Sequence, residues 1–340
     1  MKVLVWHGPR ILTLEESDEP KPGPDEALIR VHAVGICGSE IEGYLGFNSL
    51  RVPPLIMGHE FSGEIVALGS TNEAITSQIG QRVTVNPLIS CGTCAFCQAG
   101  LFHVCPQRKL IGAHRPGAFA DYVVAPLSSI VPLPDTLDPK LAALTEPFAV
   151  ALHGATLAHL KSEDAVVVWG AGSIGLLTIC AARQAQPKQI IAVDTNPARL
   201  DSARQVGATS VFDVRDSDVI GKVRQLVADI PHVIAFDAVG RSATRQASAT
   251  VVGPAGSVIL LGLHDKETVF DVQEVIRSEV TLQGSYAYTM TDIRQAVDLL
   301  AAGQVPSGPW LDMRPLGLGP DSFVELVDRP GEATKIVLIP

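Results

Sequence analysis

The sequence predicts an α/β protein that combines a β-rich unit with a doubly wound parallel-sheet unit. Residues 1–145 contain short runs rich in Val and Ile between turns, such as EALIRVHAV and FSGEIVAL, which indicate many short strands. Residues 150–282 instead alternate buried-strand runs such as QIIAVD with helical stretches such as PARLDSARQVGA. That alternation is typical of parallel βαβ units. A length of 340 residues also favours two domains.

Composition and hydropathy argue against several classes of protein. The formal net charge of −10 disfavours nucleic-acid and anionic-membrane partners. Residues 165–182, AVVVWGAGSIGLLTICAA, carry no charge and reach the ~18 residues of a membrane span. Three glycines nevertheless divide this run into a strand, a turn and a helix start. The N-terminal MKVLVWHGPR lacks the long apolar stretch of a secretory signal, so we expect a cytoplasmic protein in a reducing compartment.

Four of the six cysteines are gathered in SCGTCAFCQAGLFHVCP, residues 90–106. The spacing is C-x2-C-x2-C-x7-C, formed by Cys91, Cys94, Cys97 and Cys105. Thiolates suit tetrahedral zinc, and four of them leave no position open for water or substrate. The motif therefore predicts a structural zinc that organises a long loop. An iron–sulfur cluster is the competing interpretation, because ferredoxin spacings are related.

A second set of metal-ligating residues is spread over three segments, VGICGSEIEGY, PLIMGHEFSGEI and LTEPFAVALHG. They contribute Cys37, His59, Glu60 and Glu146. A catalytic zinc takes three protein ligands of mixed nitrogen, sulfur and oxygen type and keeps a fourth position open. Taken singly, Cys37 is explained as a small buried residue, His59 as a core histidine and Glu146 as a helix start. The site exists only if the fold brings the segments together.

The run VVVWGAGSIGLL carries a G-x-G-x-x-G turn between a predicted strand and a predicted helix. Its members are Gly170, Gly172, Ser173, Ile174 and Gly175. In this context the glycines let the backbone approach a pyrophosphate, whose charge is stabilised at the helix N-terminus. The turn therefore predicts a dinucleotide-binding unit.

Asp194 ends the next predicted strand, 19 residues after Gly175. Its carboxylate would accept hydrogen bonds from the adenosine ribose and repel a 2′-phosphate, so we expect NAD to be preferred over NADP. Arg199 is the nearby cation that would favour the phosphate instead. Val239 and Gly262 lie at predicted strand ends and are expected to line the nicotinamide side of the site.

In this order, the motifs resemble the zinc-dependent medium-chain dehydrogenase/reductase (alcohol dehydrogenase) family over essentially the whole chain. The resemblance is carried by GICGSE, GHEFSGEI, the four-cysteine loop, EPFAVALHG and VWGAGSIGLL. The carboxylate in EPFAVALHG indicates the polyol and threonine dehydrogenase branch. The resemblance implies a GroES-like catalytic domain at 1–149 and 283–340, with the structural-zinc loop at about 90–106, and a Rossmann NAD-binding domain at 150–282. It also implies a homodimer or homotetramer.

The implied activity is hydride transfer between NAD and a secondary alcohol, polyol or sugar alcohol, phosphorylated ones included, with two zinc ions per chain. The resemblance carries over Cys37, His59 and Glu146 as ligands of the catalytic zinc, and Glu60 as an alternative direct ligand or a supporting group. Ser39 would take the proton of the substrate hydroxyl, and Glu42 stands where many relatives have a proton-relaying histidine. Threonine or a short diol is the alternative substrate class. A catalytically idle NAD-binding protein stabilised by zinc is the alternative function.

Overall fold

The computed structural model describes residues 1–69, 78–329 and 331–340. The chain forms two compact units. The first, called the β unit below, comprises Met1–Glu146, Thr289–Gly303 and Leu311–Pro340, and the second, the α/β unit, comprises Pro147–Tyr288 and Gln304–Trp310. The β unit is therefore discontinuous in sequence.

The first half of the chain is mostly strands. Its elements are β1 (Lys2–Gly8), β2 (Ile11–Glu16), β3 (Glu26–Gly35), α1 (Gly38–Tyr44), β4 (Leu55–Ile56), β5 (Glu60–Leu68), β6 (Arg82–Val85), β7 (Leu88–Ile89), α2 (Ala95–Gln98), β8 (Lys109–Leu110), β9 (Tyr122–Pro126), β10 (Ile130–Pro132), α3 (Pro139–Ala142) and α4 (Thr145–Leu157).

The second half alternates strands and helices before it returns to the β unit. Its elements are β11 (Ala165–Trp169), α5 (Ser173–Arg183), β12 (Gln189–Asp194), α6 (Pro197–Val206), β13 (Ser210–Asp213), α7 (Val219–Leu226), β14 (Val233–Asp237), α8 (Ser242–Val252), β15 (Ser257–Leu260), α9 (Val272–Arg277), β16 (Thr281–Gly284), α10 (Met290–Ala301), β17 (Leu311–Pro315), α11 (Gly319–Asp328) and β18 (Lys335–Ile339).

The main sheet of the β unit has the strand order β10-β6-β5-β3-β18-β17, and β9 also pairs with β3. Strand β3 is central and largely buried, as its apolar run EALIRVHAVG requires. It runs antiparallel to β5, with Gly35 opposite Glu60, and to β18, with Val34 opposite Leu338. This register brings the end of β3 and the starts of β5 and β18 together, although they are far apart in the sequence.

Two small sheets and an aromatic core complete the β unit. The small sheets have the orders β2-β1-β4 and β7-β8. The core between the elements includes Trp6, Phe61, Phe119 and Phe323, all almost fully buried. The rings of Phe119 and Phe323 meet edge to face, with centroids 5.9 Å apart. Such a contact contributes about 0.5–1.5 kcal/mol beyond the burial of apolar area.

The α/β unit contains one six-stranded sheet with the order β13-β12-β11-β14-β15-β16 and only parallel pairs. Every residue of β11, AVVVW, is buried, as expected for a central strand covered on both faces. The order reverses between β11 and β14, and ligands of such sheets bind beyond the carboxyl ends of the strands at this point. The predicted doubly wound parallel sheet is confirmed.

The uncharged run at 165–182 forms β11, the glycine turn and most of α5. Among the helices of the described residues, none combines the length and the apolar character needed to cross a bilayer.

Candidate metal centres and dinucleotide-binding turn

The four-cysteine loop lies between β7 and β8, with Cys94 just before α2 and Cys97 within it. Four sulfur–sulfur distances are Cys94–Cys97 3.5 Å, Cys91–Cys105 3.6 Å, Cys94–Cys105 3.8 Å and Cys91–Cys97 3.9 Å. A tetrahedral zinc with Zn–S bonds of ~2.3 Å separates its sulfurs by about 3.8 Å. The quartet therefore fits one tetrahedral ion, whereas an iron–sulfur cluster would distribute the thiolates over several irons.

The thiols of this loop differ in acidity. Backbone amides of Thr93 and Cys94 lower the pKa of the Cys91 thiol to about 6, so it is mostly a thiolate at neutral pH. Burial raises the pKa of the Cys97 thiol to about 11. A metal ion must therefore displace the proton of Cys97 when it binds, which couples metal affinity to pH.

The second cluster consists of Cys37, His59 and Glu60, whose ligand atoms all lie within 4.8 Å of one another. Cys37 precedes α1, His59 immediately precedes β5, and Glu60 is the first residue of that strand. Gly58 has φ +100°, and a Cβ there would lie 2.6 Å from the amide nitrogen of Phe119, so only glycine lets the chain turn towards His59 here. The sulfur, nitrogen and oxygen donors match a zinc site with an open position.

Glu40 organises this cluster, although the sequence analysis did not single it out. Its carboxylate accepts hydrogen bonds from the backbone amides of Cys37 (3.0 Å) and Gly58 (2.8 Å) and from Nδ1 of His59 (2.7 Å). Because a carboxylate only accepts, Nδ1 carries a hydrogen, and Nε2 is the ring nitrogen left to bind a metal. The sequence signal was its position three residues after Cys37, where a capping carboxylate reaches back to the first turn.

The buried His59 and Glu40 stabilise each other's charged forms. Burial by itself raises the pKa of Glu40, but the charges of His59 and Arg51 outweigh it, so the pKa lies below its usual range. Burial by itself lowers the pKa of His59, but Glu40 and Cys37 raise it well above its usual value. A cation at Nε2 would take the place of the proton there.

Replacing Glu40 by glutamine is expected to weaken metal binding at the Cys37–His59 cluster by about 10- to 100-fold, because an amide has only one oxygen to accept from three donors. Competition with a chromophoric chelator, using Co²⁺ as the probe, measures the change. Glu42→Gln is the matched control, since Glu42 lies on the same helix and no hydrogen bond joins its side chain to another described residue. Wild-type affinity in Glu40→Gln would contradict this role.

Glu60 forms a buried ion pair with Lys335, the first residue of β18. The Lys335 ammonium also donates to the carbonyl oxygen of Ile36, at 3.0 Å. Burial by itself lowers the pKa of Lys335, but Glu60, Cys37 and Glu146 outweigh it and raise the pKa above its usual value. The sequence did not indicate a role for Lys335. Its one distinguishing feature there is that it is the charged first residue of the apolar run KIVLIP.

The two candidate carboxylates differ in position. Glu60 belongs to the cluster within 4.8 Å, whereas Glu146 does not. Glu146 is buried in the first turn of α4, close enough to Lys335 to act on it electrostatically.

Ser39 lies beside the cluster, with its hydroxyl 3.4 Å from the sulfur of Cys37. Its oxygen accepts a hydrogen bond from Nη2 of Arg51, at 3.2 Å. Arg51, another residue that the sequence analysis missed, is only 4 % exposed. Glu42 is half-buried on α1.

The glycine turn links β11 to α5, as its pattern predicts. A Cβ on Gly175 would collide with the carbonyl oxygen of Gly170, so the helix can approach the turn closely only with glycine at 175. A Cβ on Gly172 would meet no atom within 4 Å. Ser173 and Ile174 begin α5. The turn is therefore tightly packed on one side and open at the helix N-terminus, where a pyrophosphate would bind.

Asp194 ends β12, which pairs with β11 and brings it beside the turn. Its carboxylate accepts hydrogen bonds from the backbone amides of Ala171 (2.7 Å) and Asn196 (2.8 Å). Oδ1 also accepts from the hydroxyl of Thr195, at 3.5 Å, so it is Oδ2, which accepts from Ala171, that keeps a lone pair for a further donor. Arg199 is partly buried in α6, and its Nε has no hydrogen-bond partner among the described residues.

Val239 and Gly262 follow β14 and β15 at the same edge of the sheet. A Cβ on Gly170 would lie 2.5 Å from a methyl of Val239, so this side chain borders the glycine turn. Gly262 lies against the backbone of Gly240, where any side chain would collide.

Comparisons with known proteins agree with this geometry. Residues 23–135 match the family model described as alcohol dehydrogenase GroES-like domain, and residues 173–302 match that described as zinc-binding dehydrogenase. Sorbitol dehydrogenase of Bacillus subtilis (strain 168) is 30% identical over 346 residues, covering 100% of this chain and 97% of that protein. L-galactonate-5-dehydrogenase of Escherichia coli (strain K12) is 32% identical, covering 92% and 91%. The crystal structure of galactitol-1-phosphate dehydrogenase from Escherichia coli has a TM-score of 0.93 at 26% identity, covering 100% of both chains.

Proposed function

Since the chain belongs to the zinc-dependent medium-chain dehydrogenase family, we propose that it transfers a hydride between a secondary alcohol or polyol and NAD. The observation that carries the proposal is the cluster of Cys37, His59 and Glu60, in which Glu40 aligns the imidazole. An idle protein that keeps zinc for stability needs only the closed four-cysteine site. It has no use for a second, incompletely coordinated set of ligands.

The two donor sets fit two zinc ions per chain. The four cysteines would hold a structural ion. Cys37 and His59 would hold the catalytic ion with Glu60, or with Glu146 in its place, as the third ligand. When bound, the catalytic zinc supplies a Lewis acid that lowers the pKa of the substrate hydroxyl. Lys335 neutralises the charge of Glu60 in a buried site, where an unpaired carboxylate would be costly.

Ser39 is the proposed first acceptor of the substrate's hydroxyl proton, because its oxygen lies beside Cys37 and within hydrogen-bond reach of the sulfur. Ser39 must release its own proton as it accepts another, and Arg51 cannot take that proton because a guanidinium has no acceptor. Glu42, half-buried on the same helix, is the proposed group that passes the proton to solvent.

We propose NAD as the preferred cofactor, held by a Rossmann domain at 150–282. The open backbone at Gly172 supports a bound pyrophosphate, and the carboxylate of Asp194 supports an unphosphorylated ribose. Val239 and Gly262 would line the nicotinamide side. Arg199 would favour a 2′-phosphate, because its Nε has no hydrogen-bond partner among the described residues and could donate to one. NADP is therefore the cofactor against which the preference for NAD has to be measured.

The relatives are named for sorbitol, L-galactonate and galactitol 1-phosphate, which supports a polyol, sugar alcohol or sugar derivative as the substrate of this chain, with threonine or a short diol as the alternative. A cytoplasmic location is supported by the unpaired thiols of all six cysteines. A homodimer or homotetramer is supported by exposed apolar side chains at Val269, Val272 and Ile276.

The test is a screen of sorbitol, galactitol, galactitol 1-phosphate, L-galactonate, threonine and 2,3-butanediol with zinc-loaded protein, following NADH or NADPH absorbance. We expect oxidation of at least one sugar-derived alcohol and faster turnover with NAD than with NADP. Turnover of none of them, by protein with both zinc sites filled, would refute the activity. Faster turnover with NADP would refute only the cofactor assignment.

A further inference from the structure

Arg51 is a buried cation whose hydrogen-bonding capacity is mostly unused. The side chain is 4 % exposed, and its one hydrogen bond to a described residue runs from Nη2 to Ser39. Nε is fully buried and has no hydrogen-bond partner in the part of the chain that the structure describes, and no ion pair joins the guanidinium to a described carboxylate. Buried charges are normally paired, because their desolvation is costly. The missing partner therefore requires an explanation.

The nearby Glu40 does not supply that partner. It attracts Arg51 through space, but its own oxygens accept from Cys37, Gly58 and His59. The packing around Arg51 nevertheless leaves room for an arginine side chain. A Cβ on Gly43 of α1 would lie 2.6 Å from Cδ of Arg51, so the helix has glycine where the arginine packs against it. Glycine inside a helix costs stability relative to alanine, and here it makes room for the side chain.

The position of the guanidinium relates it to the reaction. Nη2 is 3.2 Å from the oxygen of Ser39, which is 3.4 Å from the sulfur of Cys37. An anion that binds the remaining N–H groups of Arg51 would thus lie next to the group that accepts the substrate's proton. The planar fork of arginine matches the oxygens of carboxylates and phosphates.

We propose that Arg51 binds an oxyanion of the substrate, a carboxylate or a phosphate ester near the carbon that is oxidised. The enzyme then selects anionic sugar derivatives over neutral polyols. This inference rests on the proposed function and names the substrate class. The bond from Arg51 to Ser39 is retained, so binding of the oxyanion and orientation of the proton acceptor depend on one side chain.

Calorimetric titration of zinc-loaded protein with L-galactonate, galactitol and galactitol 1-phosphate tests the proposal. NADH is kept bound, so that no alcohol is oxidised during the measurement. We expect the wild type to bind one charged probe about 10- to 100-fold more tightly than galactitol, the range of a hydrogen bond to a charged group. The stronger charged probe distinguishes carboxylate from phosphate.

Arg51→Gln is expected to abolish that preference, and Arg51→Lys, which keeps the charge without the fork, to restore part of it. The matched control is Arg30→Gln, which removes an exposed arginine of β3 paired with Glu64 and should keep the full preference. If the glutamine variant does not fold, the affinity ratio of the lysine variant still tests the proposal.

Several results would overturn the assignment. The first is equal affinity for charged and neutral probes in the wild type, and the second is no binding of either charged probe. The third is an equal loss of affinity for all three probes in Arg51→Gln, which would mean that Arg51 acts on Ser39 alone. Weaker NADH binding with an intact preference would identify the cofactor's phosphates as its partner instead. If neutral alcohols are oxidised while the preference is absent, only this inference fails. If no alcohol is oxidised, the proposed function fails and the binding ratio can still be read.

Discussion

Replacing His59 by alanine is expected to reduce alcohol oxidation by about 10³-fold or more while the protein stays folded. The imidazole is buried, Glu40 fixes its Nδ1, and it supplies the nitrogen donor of the Cys37–His59–Glu60 cluster. Without it, two donors remain, and the Lewis acid, worth several kcal/mol to the transition state, is lost. The rate of NAD reduction with the substrate found in the screen measures the loss. The zinc content should fall from two ions per chain to one.

The control for this variant is His7→Ala. His7 is an exposed histidine of β1 that pairs with Glu15, and its loss should leave turnover and zinc content unchanged. Circular dichroism of His59→Ala should match the wild type, because the four-cysteine loop is intact. Two zinc ions and full turnover in His59→Ala would show that the assigned ligands are wrong.

Replacing Cys97 by alanine is expected to produce the opposite pattern, a large loss of stability with catalysis preserved in the molecules that stay folded. Cys97 is buried, and its sulfur lies 3.5 Å from that of Cys94 and 3.9 Å from that of Cys91. Three thiolates without the fourth cannot close the tetrahedral site, and three large apolar side chains of this loop are exposed, so packing alone holds the loop weakly. We expect the free energy of unfolding to fall by about 4 kcal/mol or more, as for other losses of a structural metal.

Urea unfolding together with zinc analysis measures this effect. Cys180→Ala is the matched control, because Cys180 is a buried, isolated cysteine of α5. Its loss should cost about 1 kcal/mol, typical of a small core truncation, and leave both zinc ions in place. A Cys97→Ala protein that keeps two zinc ions and wild-type stability would refute a structural role for the quartet.

The two variants together separate the two metal sites. His59→Ala affects turnover and one ion, whereas Cys97→Ala affects stability and the other ion. A protein in which either variant removed both ions would have coupled sites, which the separate donor sets of the β unit do not predict.

Much of this protein could be predicted from local sequence pattern. The alternation of strands and helices predicted the parallel sheet, and the six strands in the order β13-β12-β11-β14-β15-β16 confirm it. The close packing at Gly175 and the open space at Gly172 follow from the spacing of the glycines in one turn. The four cysteines lie within 15 residues, so a short loop is enough to bring their sulfurs within 3.9 Å of one another in the pairs described above. In the glycine turn and the cysteine loop the residues that interact are neighbours in the chain, so short-range geometry decides the outcome, and the sheet follows from the regular alternation of its elements.

The polar framework around the second cluster depended on the tertiary structure. Arg51 and Lys335 belong to no motif of the sequence. Glu40 lies in GICGSE, but nothing in that motif distinguishes its role, and the sequence indicates only Glu42 on the same helix, as a proton relay. Lys335 reaches Glu60 only because β3 pairs with both β5 and β18, which joins residues 275 positions apart. Sequence alone thus determined which chemical groups this protein has and which neighbours in the chain act together. Only the folded sheet decided which buried charges compensate one another, because the cost of a buried charge depends on partners that distant segments provide.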